Sequence, residues 1–285
     1  MDCVRGVFLP RGGMHALPVA MAAAATDHGV EIRYDSEVSR IEVSDGRATG
    51  VVMADGERLT ADVIVVNADL PMAYRHLLAP EHTPRRVKRL NYSPSCVLLH
   101  VGSAATYDQL AHHTMDFGIA WDRTFEEIIH RGEVMSDPSF LVSNPSSTDD
   151  SLAPDGKQTY YVLFPAPNTV SGRNIDWDTF GPRYRDQMIG AMESRGMTGF
   201  GDAIEVERLV TPEDWLRMGI AAGAPFSASH HVPQTGPLRQ PTLDRNIENL
   251  VFCGANTQPG VGVPMVLVSG RLAAERITGL AGRGA

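Results

Sequence analysis

Residues 249–277, NLVFCGANTQPGVGVPMVLVSGRLAAERI, constrain the fold of this chain more than any other stretch. Leu250, Val251, Phe252 and Cys253 form a short apolar run without helical alternation, which suits a strand buried on both faces of a mixed sheet. Gly254 breaks the run. The loop that follows carries Pro259, Gly260 and Gly262, and Pro264 suits the first turn of a helix. Val266, Leu267, Leu272, Ala273, Ala274 and Ile277 continue at mixed three- and four-residue spacing until Gly279 closes the helix. The spacing predicts strand, glycine turn and helix. Taken alone, it fits a ligand-free tight turn as well as a site where a flat ligand meets bare backbone.

A helix N-terminus presents unpaired N–H groups and a partial positive charge, so it favours an anion or an electron-rich acceptor. A reduced flavin is such an acceptor. Negative charge develops around N1 and O2 of the isoalloxazine ring on hydride transfer, and backbone donors from residues 260–265 suit it without a charged side chain.

The segment GANTQPGVGVP resembles the C-terminal flavin segment of the bacterial phytoene desaturase family, FAD-dependent carotenoid desaturases and isomerases within the amine oxidase-like flavoproteins. FLPRGGMHALPVAMA, HHTMDFG, SDPSFLVSNPSSTDDSLAPDG, YYVLFPAPN, TPEDW and SGRLAAERI are similar to that family in the same order. The resemblance implies an FAD/NAD(P)-binding-like α/β fold with an inserted α+β substrate domain. It places the cofactor against Gly254, Ala255, Asn256, Gly260, Val261, Gly262, Val263, Pro264 and Met265, against the turn at Asn67 and Ala68, and against the backbone of Val38 at the adenine end. It also implies a carboxylate at Glu126 acting as acid or base near the substrate. The chemistry implied is desaturation of a carotenoid precursor such as phytoene, with hydride transfer to FAD. A carotene isomerase is the alternative reading. An amine oxidase fits less well, because the loop at residues 256–263 offers no aromatic for a cage.

The sequence departs from that family in one respect. Such proteins hold the FAD pyrophosphate on a strand, a G-x-G-x-x-G turn and a helix. No such triplet occurs here: Gly260-Val261-Gly262 is followed at the third position by Met265, and Gly12-Gly13 lacks the spacing. The chain therefore resembles the latter part of a desaturase, with an incomplete cofactor domain. A truncated, non-catalytic fragment or a partner subunit of a split desaturase is the non-enzyme alternative, and a separate N-terminal half or a second copy are the expected protein partners.

A 285-residue chain that is 43% hydrophobic can bury a substantial core. The formal charge of −9 argues against nucleic acid and suits the cytosol. Cys3, Cys96 and Cys253 form no C-x-x-C pair, so neither a disulfide scaffold nor zinc is expected. His112-His113 and His230-His231 are adjacent pairs that point apart, and no metal is expected. No apolar run is long enough to span a bilayer. A lipophilic polyene substrate then implies a peripheral site at the inner face of the cell membrane, and the basic cluster Arg85, Arg86, Lys88 and Arg89 is the first candidate for that contact.

In chain order, a helix is expected over residues 14–28, then a strand over 30–34. Strands at 38–43, 47–53 and 63–67 follow, joined by Asp45-Gly46 and Asp55-Gly56 turns. Buried strands at 96–101, 140–142 and 160–164 form a second sheet. Its Tyr and Phe side chains suit plain core, and only the resemblance suggests a polyene tunnel. Residues 121–130 predict a helix with Phe125, Ile128 and Ile129 on one face. Glu126 and Glu127 flank that face, where an acidic pair ordinarily meets solvent. A long helix at 176–195, a strand at 204–210 and an irregular loop at 219–241 lead back to the glycine turn. The expected division is a partial FAD-binding domain of residues 1–75 and 240–285, with residues 76–239 as substrate domain.

Overall fold

A computed structural model describes residues 6–279, so Cys3 lies outside the described residues. The first helix, α1, is Ala16–Asp27, and it buries none of its residues. Residues 30–33, which alternate as a strand should, run on without ladder pairing and form no strand. The alternation is present in the sequence, but a strand exists only where another strand accepts its hydrogen bonds.

The hairpins follow their turn residues. β1 (Val38–Ser44) and β2 (Arg47–Met53) pair antiparallel, with Ser44 opposite Arg47. Asp45 and Gly46 both have positive φ, 49° and 75°, the signature of a type I′ turn. β3 (Arg58–Thr60) adds to β2 and completes a three-stranded sheet. β4 (Ile64–Val66) pairs instead with the strand after the long loop. Helix α2 (Leu70–His76) starts with Asp69 as its cap, accepting the Met72 N–H at 3.4 Å.

β5 (Ser95–Ser103), β6 (His113–Asp116), β7 (Phe140–Ser143), β8 (Gln158–Ala166) and β9 (Ile204–Val210) form a five-stranded sheet in the order β6-β7-β8-β5-β9. β8 alternates strictly, with Tyr160, Val162, Phe164 and Ala166 buried. Phe164 stacks on Phe140 with centroids 4.8 Å apart, and Tyr160 meets Phe200 edge-on at 5.6 Å while donating to the Ala105 carbonyl. These rings are core. α3 is Trp121–Phe125 and passes directly into a π-helix, Glu126–Arg131. α4 (Trp177–Ser194) is capped by Asp176, which accepts the Thr179 N–H, and turns Tyr184, Met188, Ile189 and Met192 inward.

After β9 come α5 (Pro212–Arg217), three short 3-10 turns, β10 (Leu250–Phe252) and α6 (Val263–Thr278), which ends on Gly279 in the left-handed conformation. β10 is buried throughout, as its apolar run requires, and pairs parallel with β4. Tyr74, Ile64, Val66, Ile247, Leu250 and Phe252 share one core, with Tyr74 stacked on Phe252 at 5.0 Å. The apolar positions of α6 are less covered than their spacing suggests: Leu267 is 40% and Ile277 41% exposed. Among the described residues, no helix is long and apolar enough to cross a membrane.

The chain divides into two compact units. One comprises Met1–Tyr34, Val97–Pro165 and Ile175–Thr211; the other comprises Asp35–Cys96, Ala166–Asn174 and Pro212–Ala285. The Gly12 N–H donates to Asp149 at 2.7 Å, which holds the stretch before α1 in the unit with the five-stranded sheet.

Candidate functional site

β4 and β10 are parallel and in register, with Val66 opposite Phe252, so their carboxyl ends emerge side by side. In parallel α/β sheets that end is where ligands bind. The two turns that leave it are Asn67-Ala68-Asp69 and Gly254-Ala255-Asn256, which the family resemblance places beside the cofactor. The structure brings them together. The Cys253 N–H donates to the Val66 carbonyl at 3.1 Å, and Asn67 Nδ2 donates to the Cys253 carbonyl at 3.3 Å. Gly254 has φ +106°, and a Cβ there would lie 2.8 Å from Asn67 Nδ2, so the close approach of the turns requires glycine.

Asn256 is buried and uses both ends of its amide. Nδ2 donates to Asp69 Oδ2 at 2.6 Å, and Oδ1 accepts the Ala228 N–H at 3.1 Å. Asp69 also accepts the Ala221 N–H. Burial pushes the Asp69 carboxyl above the usual carboxylate range, against the opposing pull of Met72, Ala221, Asn256 and Arg75. Below this layer, Ser269 of α6 accepts the Gly254 N–H at 3.0 Å and shares a hydrogen bond with Thr257, whose hydroxyl meets the Gly254 carbonyl. The glycine turn is therefore fixed from both sides.

The loop then opens. Gly262 caps α6 with φ 111° and no side-chain cap, and a Cβ on it would meet nothing within 4 Å. Val263, Pro264 and Met265 are exposed, as are Asn67 and Ala68, while Gly260 is buried. The result is a strip of bare backbone leading to an uncapped helix N-terminus, with first-turn N–H groups that have no intrahelical acceptor. Such a strip fits a flat, electron-rich ring. Val38 is not among these bonds; it sits in the three-stranded sheet opposite Met53.

Arg239 escaped the sequence reading. It is only 2% exposed, and its Nη2 donates to Ser227 Oγ at 2.8 Å and to the Ala255 carbonyl at 2.5 Å. Burial pulls its guanidinium below the usual range, with no carboxylate offsetting it. Nothing in its Gly-, Ser- and Pro-rich surroundings marks it as buried. Ser269 also escaped, although a small polar residue within the apolar spacing of α6 was a usable signal.

Glu126 lies in the other unit, exposed on the π-helix. Its neighbour Glu127 is 5% exposed, accepts the Ser136 N–H at 2.9 Å and faces Arg131 at 3.3 Å. Burial raises the Glu127 carboxyl, but the Ser136 hydrogen bonds with Arg131 and Arg123 outweigh it and hold the group below the usual range. The single apolar face expected for residues 121–130 does not form. Ile128 is buried, whereas Phe125 is 50% and Ile129 48% exposed, because the change from α to π winding at Glu126 breaks the 3.6-residue period. Asp137 accepts the Ile119 and Ala120 N–H groups at 2.7 and 2.8 Å and so fixes the start of α3. Among the described residues, no group of three or more His, Cys, Asp or Glu is arranged to hold a metal.

The family described as "Flavin containing amine oxidoreductase" matches residues 1–278. The chain is 53% identical to a phytoene dehydrogenase of Streptomyces griseus over 280 residues, 98% of this chain and 54% of the relative. It is 40% identical to the zeta-carotene-forming phytoene desaturase of Myxococcus xanthus, over 95% of this chain and 53% of the relative. The chain thus spans about half the length of the curated relatives it matches. An oxidoreductase from Methanosarcina mazei superposes with TM-score 0.62 at 14% identity, covering 93% of this chain and 55% of that one. A putrescine oxidase variant redesigned in its cofactor binding gives 0.59 at 18%, covering 94% and 53%. At such identities these two speak for the fold alone, and that fold is the α/β class the sequence predicts. Relatives and fold agree with the resemblance carried by the glycine loop: the chain belongs to the flavin containing amine oxidoreductase family.

Proposed function

We propose that this chain works in an FAD-dependent oxidoreductase that desaturates a carotenoid precursor such as phytoene, with the unit that carries β4, β10 and Arg239 serving the cofactor and the unit with the five-stranded sheet serving the substrate. The observation that carries this reading is the bare backbone strip at the carboxyl ends of β4 and β10, in a chain 53% identical to a phytoene dehydrogenase. When bound, FAD supplies the two-electron oxidant for removing two hydrogens from a saturated C–C bond flanked by alkenes. Gly254, Ala255 and the Gly260-to-Met265 backbone hold the ring, and Asn67 and Ala68 border it. Asn256, Asp69 and Ser269 keep those groups in place, so no loop reorganisation accompanies the reaction. Glu126 receives the proton lost from the substrate carbon. Its neighbour Glu127 is already engaged by Ser136 and Arg131, which leaves Glu126 as the accessible carboxylate of the pair.

The test is conversion of phytoene in lipid vesicles by flavin-loaded protein, with loss of phytoene and gain of conjugation as the readout. No conversion at full flavin content sinks the reading. Glu126→Gln should keep flavin and slow conversion roughly 10²-fold, the ordinary contribution of a general base. Unchanged turnover returns Glu126 to the solvent face.

A polyene substrate also calls for a lipid contact at the inner face of the cell membrane. Of two candidate surfaces, the Arg85–Lys88 turn is the weaker, because its apolar neighbours Val87 and Leu90 pack inward on the core. The exposed row Phe117, Trp121 and Phe125, with centroids 5.3 and 5.8 Å apart, suits an interfacial position without needing charge. Replacing Trp121 and Phe125 by Ser should therefore abolish vesicle co-sedimentation at unchanged flavin content. Replacing the four cations at 85, 86, 88 and 89 by Gln should not. The reverse pattern would move the contact to the basic turn.

A further inference from the structure

Arg239 is a buried cation with three of its five N–H donors unused. Nη2 is occupied by Ser227 and Ala255, but Nε and Nη1 are buried without any hydrogen-bond partner. A buried guanidinium normally finds a carboxylate or fills its donors with carbonyls, because unpaired buried charge is costly. The unused edge faces the cofactor loop. A Cβ built on Gly260 would lie 3.7 Å from Nε and 3.8 Å from Cζ, so the Gly260 backbone passes close to this edge. Gly260 lies three residues before the first residue of α6, whose N-terminus has no side-chain cap. A fixed positive charge and a helix N-terminus thus bracket the same short stretch of backbone. Both favour a ligand that carries negative charge there.

We propose that Arg239 is the cation that sets the reduction potential of the flavin: it stabilises the negative charge that the ring gains on reduction, from beneath the Gly260 loop. This rests on the flavin reading above and adds a specific residue to it. The neutral donors of the loop orient the ring in either oxidation state, whereas the Arg239 charge acts differently on the two. It is a positioning and electrostatic residue, and it takes no proton.

The experiment is a dye-equilibrium measurement of midpoint potential on flavin-loaded protein and on Arg239→Met and Arg239→Lys. Arg239→Met keeps the buried methylenes and removes the charge. It is expected to weaken binding of reduced relative to oxidised flavin by about tenfold, a drop of about 30 mV for a two-electron couple. Arg239→Lys keeps the charge and should stay close to the unmodified potential. A purely structural arginine predicts the opposite ordering: both variants lose stability and flavin content, while the flavin that remains keeps its potential. That result overturns the proposal. Should Arg239→Met not fold, Arg239→Gln, which keeps an N–H donor without the charge, decides: a fall in potential supports the proposal, and an unchanged potential overturns it. Unmodified protein that takes up no flavin even when joined to a G-x-G-x-x-G unit overturns the flavin reading and this inference together, whereas an unchanged potential in Arg239→Met overturns this inference alone.

Discussion

Purified on its own, the 285-residue chain is expected to carry far less than one FAD per protein, and fusion to a G-x-G-x-x-G strand–turn–helix unit is expected to bring the content close to one. The ring end of the site is present: two turns locked by Asn67, Asn256 and Ser269, bare backbone at Gly262, and an uncapped helix start. The pyrophosphate end is a different matter. In dinucleotide folds the diphosphate sits on a glycine turn at a helix N-terminus, where several charge-assisted hydrogen bonds each contribute roughly 1.5–3 kcal/mol. No glycine run in the sequence has that spacing. Losing two such bonds weakens binding by about 10²–10⁴-fold, enough to strip flavin during purification. The check is flavin absorbance per protein after gel filtration, for the chain alone and for the fusion. Stoichiometric flavin on the chain alone would show that the ring contacts suffice.

The elements that the sequence made legible are those whose cause is local. The buried run at Leu250 to Phe252, the turn at Asp45-Gly46 and the long helix α4 each follow from a few adjacent residues, and each forms where expected. Residues 30–33 show the limit of periodicity, since alternation cannot supply a ladder partner. The π-helix at Glu126–Arg131 shows another. A helical wheel assumes 3.6 residues per turn, and the wider turn sends Glu127 inward and leaves Phe125 and Ile129 outside. In the candidate site, the glycines were readable because close backbone approach demands small residues, and Asn67 was readable only through the family resemblance. Arg239 was not, because its burial is decided by Ser227 and Ala255, which lie 12 and 16 residues away in sequence. The pairing of Asp69 with Asn256 spans 187 residues and left no local trace either.

That pairing leads to the largest effect of a single substitution in the site. Asn256→Leu keeps the branched shape and heavy-atom count of the side chain but removes a donor to Asp69 and the acceptor for the Ala228 N–H at once. The Asp69 carboxylate, already pushed up by burial, loses a 2.6 Å charge-assisted bond, and a buried N–H is left without a partner. Each orphaned group costs about 1–3 kcal/mol, and more for the charged one, so a total of about 3–5 kcal/mol is expected. Much of that returns when Asp69 is protonated. A carboxyl whose folded pKa lies above its unfolded value binds its proton more tightly in the folded state, so stability rises as pH falls from above the folded value toward the unfolded value near 3.8. With Asn256 gone, one force that lowered the Asp69 value is removed, and the raised window widens upward. Urea unfolding of the flavin-loaded protein should therefore show the Asn256→Leu penalty largest at neutral pH and smaller in mild acid, with flavin released early in the transition because Gly254 and Ala255 sit on the same turn. A penalty independent of pH would show that Asp69 is not the group that Asn256 serves, and would transfer the cost to the Ala228 N–H and to the packing of the loop.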